Sequence, residues 1–66
     1  MRATVNGDPL ELPDGLSVAD LLRHLGARSQ RVAVERNGTV VKRARHPEEK
    51  IADGDILEIV TFVGGG

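Results

Sequence analysis

Leu10 and Leu12 alternate with Glu11, the period of two expected of a half-buried strand. Ahead of them, Arg2-Ala3-Thr4-Val5-Asn6 carries β-branched residues and runs into Asn6-Gly7. Asn-Gly accepts the positive φ angles of a two-residue turn, so the two segments are predicted to form a hairpin. Pro13-Asp14-Gly15 ends the return strand, because proline has no N–H for a ladder and Asp-Gly turns readily. The period then changes. Val18, Leu21, Leu22 and Leu25 fall on one face of a helix predicted over about residues 18–25. Ser17 stands at the N-cap with Asp20 three positions on, a variant of the capping box. Leu16 and Leu21 are spaced for a hydrophobic staple, and Gly26 suits a left-handed C-cap.

A basic connector, residues 28–31, leads to Val32-Ala33-Val34-Glu35-Arg36, Asn37-Gly38 and Thr39-Val40-Val41-Lys42, a second Asn-Gly hairpin. Residues 44–52 are polar and irregular, with a single turn expected at His46-Pro47-Glu48-Glu49, and Asp53-Gly54-Asp55 makes a tight turn. The last strand begins at Ile56 and reaches Val63, where three glycines follow.

Hairpin, helix, hairpin, turn and strand, in that order, predict an α+β fold of the β-grasp, ubiquitin-like type. The helix crossover lets the first and last strands pair in parallel at the centre of a mixed sheet of four to five strands. One face of that sheet covers the helix and the other faces water. At 66 residues the chain reads as a single domain, 1–66, with residues 64–66 as a flexible glycine tail.

Alternation assigns the faces of the last strand. Glu58 belongs outside, which places Ile56, Val60 and Phe62 outside with it and Leu57, Ile59 and Thr61 under the helix. Phe62 is the only aromatic residue of the chain, and here it stands near the tail beside Val60. Exposed apolar side chains grouped at a functional terminus make a docking surface; sealing of the sheet end is the plainer alternative.

Composition removes several functions. Nine basic residues against ten acidic ones, and a single aromatic, lack the cationic excess and the stacking platforms of nucleic-acid binding. With no cysteine there is no disulfide, thiolate nucleophile or zinc–sulfur site. His24 and His46 are too few for a metal centre, Ser17 is used as a cap, and neither it nor Ser29 has a matched histidine and acid. Asp53 and Asp55 flank Gly54 without further calcium ligands. Arg36, Lys42, Arg43 and Arg45 gather around the second hairpin. Protection of a strand edge accounts for them, with a patch for an acidic partner as the alternative. No apolar run approaches the ~20 residues of a membrane span and no signal peptide opens the chain, so a cytoplasmic protein without membrane or nucleic-acid partners is expected.

The ending is the most informative feature. Val63-Gly64-Gly65-Gly66 lacks Cβ atoms at its last three positions, so it can thread a channel too narrow for other residues. The α-carboxylate of Gly66 is then the group on which another enzyme would act.

Three stretches carry a family resemblance: Val34-Glu35-Arg36-Asn37-Gly38, Asp53-Gly54-Asp55 leading into Glu58-Ile59-Val60, and Phe62-Val63-Gly64-Gly65-Gly66. In these, and along its whole length, the chain resembles the sulfur carrier proteins of thiamine biosynthesis, the ThiS family of ubiquitin-like proteins. The resemblance implies a protein cosubstrate and not an enzyme. An activating partner would adenylate Gly66 with ATP and magnesium, and a sulfur donor system would convert it to a thiocarboxylate (1-thioglycine). Thiazole synthase would take the sulfur for the thiazole ring. Val60, Phe62, Val63, Gly64 and Gly65 would meet these partners, and the chain itself would hold no cofactor or metal. The small subunit of molybdopterin synthase and a ubiquitin-like protein modifier share the fold and the Gly-Gly end, and a binding module with an idle tail is the remaining alternative.

Overall fold

The computed structural model describes residues 1–62. Five strands, β1 (Arg2–Val5), β2 (Asp8–Glu11), β3 (Val32–Arg36), β4 (Thr39–Val41) and β5 (Ile56–Thr61), form one sheet in the order β2-β1-β5-β3-β4. One helix, α1 (Val18–His24), crosses it. This is the β-grasp arrangement, with β1 and β5 parallel at the centre in the register Thr4↔Ile56 and Val5↔Leu57. The other three pairings are antiparallel.

Both Asn-Gly turns form as the sequence predicts. Asn6 and Gly7 have φ of 50° and 85°, and Asn37 and Gly38 have 52° and 83°, the left-handed pair of a type I′ turn. Such a turn matches the twist of its flanking strands and fixes each hairpin's register.

Every N–H of the first helical turn has a partner. The capping box is complete: Asp20 N–H donates to Ser17 Oγ at 3.1 Å and Ser17 N–H to Asp20 Oδ2 at 3.0 Å. Val18 N–H donates to the Glu49 carbonyl and Ala19 N–H to that of His46, while Leu21 N–H reaches Ser17 O. The polar segment after β4 is therefore fastened over the helix N-terminus and is not a free loop. At the other end, Gly26 (φ 76°) donates to Arg23 O and Ala27 N–H donates to Leu22 O, a Schellman turn.

This turn stops the helix one residue short of the expected Leu25, which becomes the C-cap. Its side chain leaves the apolar stripe and is 42% exposed, so only Val18, Leu21 and Leu22 of the four predicted positions are buried. They pack on Ala3, Val5, Val34 and Leu57 of the sheet, with Leu12 and Ile51 closing the sides. β2 ends at Glu11, ahead of buried Leu12, and β4 ends at Val41, ahead of Lys42. Burying these aliphatic side chains, each worth about 1.5–3 kcal/mol, supplies the main drive for folding a chain of this size.

His46 lies in a segment whose polar sequence predicts a solvated loop, yet it is part of the interior. It is 1% exposed, with Nε2 donating to Val41 O at 3.1 Å and Nδ1 paired with Ser29 Oγ at 2.9 Å. The imidazole is a structural bracket between β4 and the 3₁₀ turn Ser29–Arg31.

Candidate functional site

β5 positions the site, because it is the strand that leads to the glycines. It lies between β1 and β3, and the turn of each hairpin reaches over to hold it. At Asn6 the β1 backbone turns away, but the side chain continues the ladder. Ile59 N–H donates to Asn6 Oδ1 at 2.7 Å, and Asn6 Nδ2 donates to Ile59 O at 3.1 Å. On the opposite edge Ile56 N–H donates to Asn37 Oδ1 at 2.9 Å, and Asn37 N–H donates to Ile56 O at 2.7 Å. The two asparagines that make the turns thus also clamp the outgoing strand. Sequence reasoning assigned them only the turns.

A polar cluster fixes where β5 starts. Asp55, 6% exposed, accepts from Arg36 Nε at 2.6 Å, Ala52 N–H at 2.8 Å and Asn37 Nδ2 at 3.0 Å. Arg36 also donates through Nη1 to Glu49 at 3.0 Å. Burial pushes the Asp55 carboxyl up, but hydrogen bonds from Arg36, Ala52 and Asn37, with the Arg36 charge, outweigh it and hold the carboxyl below the ordinary aspartate value. The hydrogen bond to Asp55 raises Arg36 further, against its own desolvation. This cluster joins the segments Val34–Gly38 and Asp53–Asp55 that the sequence singled out separately, and it gives both a structural role.

The faces of β5 are those predicted from alternation, with one exception. Leu57 is fully buried and Ile59 half-buried, while Ile56, Val60 and Phe62 are exposed at 55%, 60% and 49%. Thr61 is exposed instead of packed beneath the helix, and it borders a hollow lined by Leu25, Gly26 and Ala27, the residues that follow α1. The outer face also carries Ala33 opposite Val60 and Glu35 opposite Glu58. The register thus sets two exposed glutamates at directly opposite positions, a like-charge placement that costs stability. The last main-chain bond of the described chain runs from Phe62 N–H to Arg31 O at 2.9 Å. Val63, Gly64, Gly65 and Gly66 lie outside the described residues.

Among the described residues no group of three or more His, Cys, Asp or Glu side chains could hold a metal ion, and no helix is long and apolar enough to cross a membrane. His24 is exposed at the end of α1.

Residues 2–66, the glycine ending included, match the ThiS family. The chain belongs to this family. A sulfur carrier protein ThiS of Bacillus subtilis is 40% identical to it over 76% of both chains. Among solved structures, the thiamine biosynthesis protein ThiS of Geobacter metallireducens superposes with a TM-score of 0.85 at 39% identity over the whole of both chains. A thiazole synthase of Paramagnetospirillum magneticum is 41% identical over the full length of this chain, which spans a fifth of that longer relative.

Proposed function

We propose that this ThiS-family chain is a sulfur carrier of thiamine biosynthesis, a cosubstrate whose reacting group is the carboxylate of Gly66. The observation that carries the reading is the family match, continuous through the last glycine, on a fold whose central strand leads directly to those residues.

The chemistry follows from the group. A C-terminal carboxylate, with an ordinary pKa of about 3.5, is an anion at neutral pH and a poor electrophile. An activating partner that binds ATP and magnesium lets one carboxylate oxygen attack the α-phosphorus and expel pyrophosphate. The acyl-adenylate so formed carries AMP as leaving group. Hydrosulfide delivered by the donor system adds to the carbonyl and displaces AMP, leaving a thiocarboxylate once its proton is lost. Thiazole synthase then accepts the sulfur, and a water molecule that attacks the acyl carbon supplies the oxygen with which the carboxylate returns. Support for this acceptor comes from relatives that bear the name thiazole synthase and match the chain along its length.

The body supplies reach and recognition. Four residues, 63–66, extend at most about 14 Å beyond Phe62. A partner can thus seat Val60 and Phe62 on its surface while Val63, Gly64 and Gly65 enter a channel and present Gly66. Asn6 and Asn37 clamp β5 at Ile59 and Ile56, so the strand that precedes that segment is firmly held.

Intact mass spectrometry after incubation with ATP, magnesium, activating enzyme and a sulfur source tests the reading. Exchange of oxygen for sulfur adds about 16 Da, placed by fragmentation on Gly66. The chain lacking Gly66 folds and gains nothing, and Phe62→Ser folds but is charged about tenfold less efficiently at limiting partner. Sulfur gained by the truncated chain would refute the assignment. Transfer of the sulfur to a molybdopterin synthase large subunit in preference to thiazole synthase, or isopeptide adducts on other proteins, would move it to another pathway.

A further inference from the structure

Charge in this chain is segregated. Residues 21–47 hold seven of the nine basic side chains and, at Glu35, one of the ten acidic ones. The structure divides these cations into two groups. Arg36 pairs with Asp55 and Glu49, Arg45 with Glu48, and Arg23 with Asp20. Among the described residues, no carboxylate lies within ion-pair distance of Arg28, Arg31, Lys42 or Arg43. The basic residues of the hairpin are thus partly consumed by the fold; of the remaining cations Lys42 stays beside the hairpin, while Arg28 and Arg43 lie with residues of α1.

Arg28 and Arg43, which have no carboxylate within ion-pair distance among the described residues, line a groove of about 420 Å³ there together with Arg23, which is paired with Asp20. Its apolar lining includes Leu22, Ala27 and Pro47, with Ser29 and Gln30 alongside. All three arginines and Pro47 are exposed, Ala27 is half-buried and Leu22 is buried, so Ala27 and Pro47 offer the apolar surface between the charges.

We propose that this groove docks an acidic segment of a partner protein, one in which a leucine-sized side chain is flanked by carboxylates. Complementarity of both kinds supports this occupant. Guanidinium groups bind carboxylates in a planar, two-point geometry, and the apolar surface between them accepts a side chain that a phosphate does not carry. A nucleic acid would find no aromatic residue on which to stack, the only one being Phe62 on β5's outer side. Ala27 and Arg28 also line a neighbouring hollow that Thr61 of β5 borders, so the groove adjoins the end of that strand. The inference does not depend on the sulfur chemistry proposed above.

The test uses the full chain and a fluorescent peptide of about a dozen residues built from Glu-Glu-Leu repeats. Amide chemical shifts are expected to move at Ala27, Arg28, Ser29, Gln30 and Arg43. Arg28→Glu with Arg43→Glu should weaken the peptide at least about tenfold and flatten its salt dependence, while Lys50→Glu changes affinity less than about twofold. Both arginines are exposed, so melting should not change; if the reversed pair fails to fold, Arg28→Gln with Arg43→Gln gives the same readout. Equal binding of a Lys-Lys-Leu peptide, shifts confined to the outer face of β5, or insensitivity to the substitutions would each overturn the proposal. So would stronger binding to oligothymidylate or to phosphatidylserine vesicles, or a groove filled by a second copy of the chain in sedimentation.

Discussion

Arg36 Nε and Asp55 Oδ2 lie 2.6 Å apart, joining the end of β3 to the residue that precedes β5. Removing the buried member strands an arginine, a main-chain N–H and an amide at once. Asp55→Ala is therefore expected to cost about 3 kcal/mol, a large part of the roughly 3–10 kcal/mol available to a chain of this length. Glu49→Gln touches the more exposed arm of the same arginine and should cost less than about 1 kcal/mol. Urea unfolding of the two variants checks the ordering, and equal losses would show that the Asp55 pairing does not hold the turn.

The same pair sets a pH dependence. Asp55 is held below its ordinary value, so its contribution is fully present above the unfolded-state pKa of about 3.9 and is lost as pH falls through the lower folded value. Asp20 is also lowered, chiefly by the backbone hydrogen bond from Ser17. Stability followed by circular dichroism should thus be flat near neutrality and fall below about pH 4. Asp20→Asn is expected to remove part of that slope.

Asn6→Gly keeps the positive φ of the turn and deletes the two bonds to Ile59. A loss of about 1 kcal/mol is expected, with hydrogen exchange accelerated at the Ile59 amide more than at Leu57. The parallel substitution Asn37→Gly should do the same at Ile56. Unchanged protection at those amides would show that the side chains do not carry the ladder.

Glu35 and Glu58 face each other on the outer surface. Glu58→Gln removes the like-charge pairing and should raise stability by a few tenths of a kcal/mol up to about 1 kcal/mol. A thermal melt measures it. Stabilisation would mark the outer face as one where packing is not optimised for the isolated chain, as expected of a surface that meets a partner.

Local chemistry made much of this fold readable. The two Asn-Gly turns, the Ser17–Asp20 box and Gly26 each depend on neighbours a few residues away, and each forms as its sequence predicts. Leu25 was misplaced because periodicity does not say where a helix stops; the Schellman turn at Gly26 carries its side chain off the stripe. His46 and Asp55 were illegible for another reason. Their partners, Ser29 and Arg36, are 17 and 19 positions away, and polar residues in a loop read as solvated until the fold brings those partners in. The faces of β5 were recovered because one charged residue, Glu58, fixes the parity of a whole strand.

The placement of β5 between a parallel and an antiparallel neighbour has a mechanical corollary. Traction on its C-terminal end acts along the strand axis, whereas its hydrogen bonds run across that axis to β1 and β3. The load is thus shared as shear among many bonds and is not concentrated on one at a time as in the peeling of an edge strand. A machine could tug this end into a tunnel and let it go again without unravelling the body behind it.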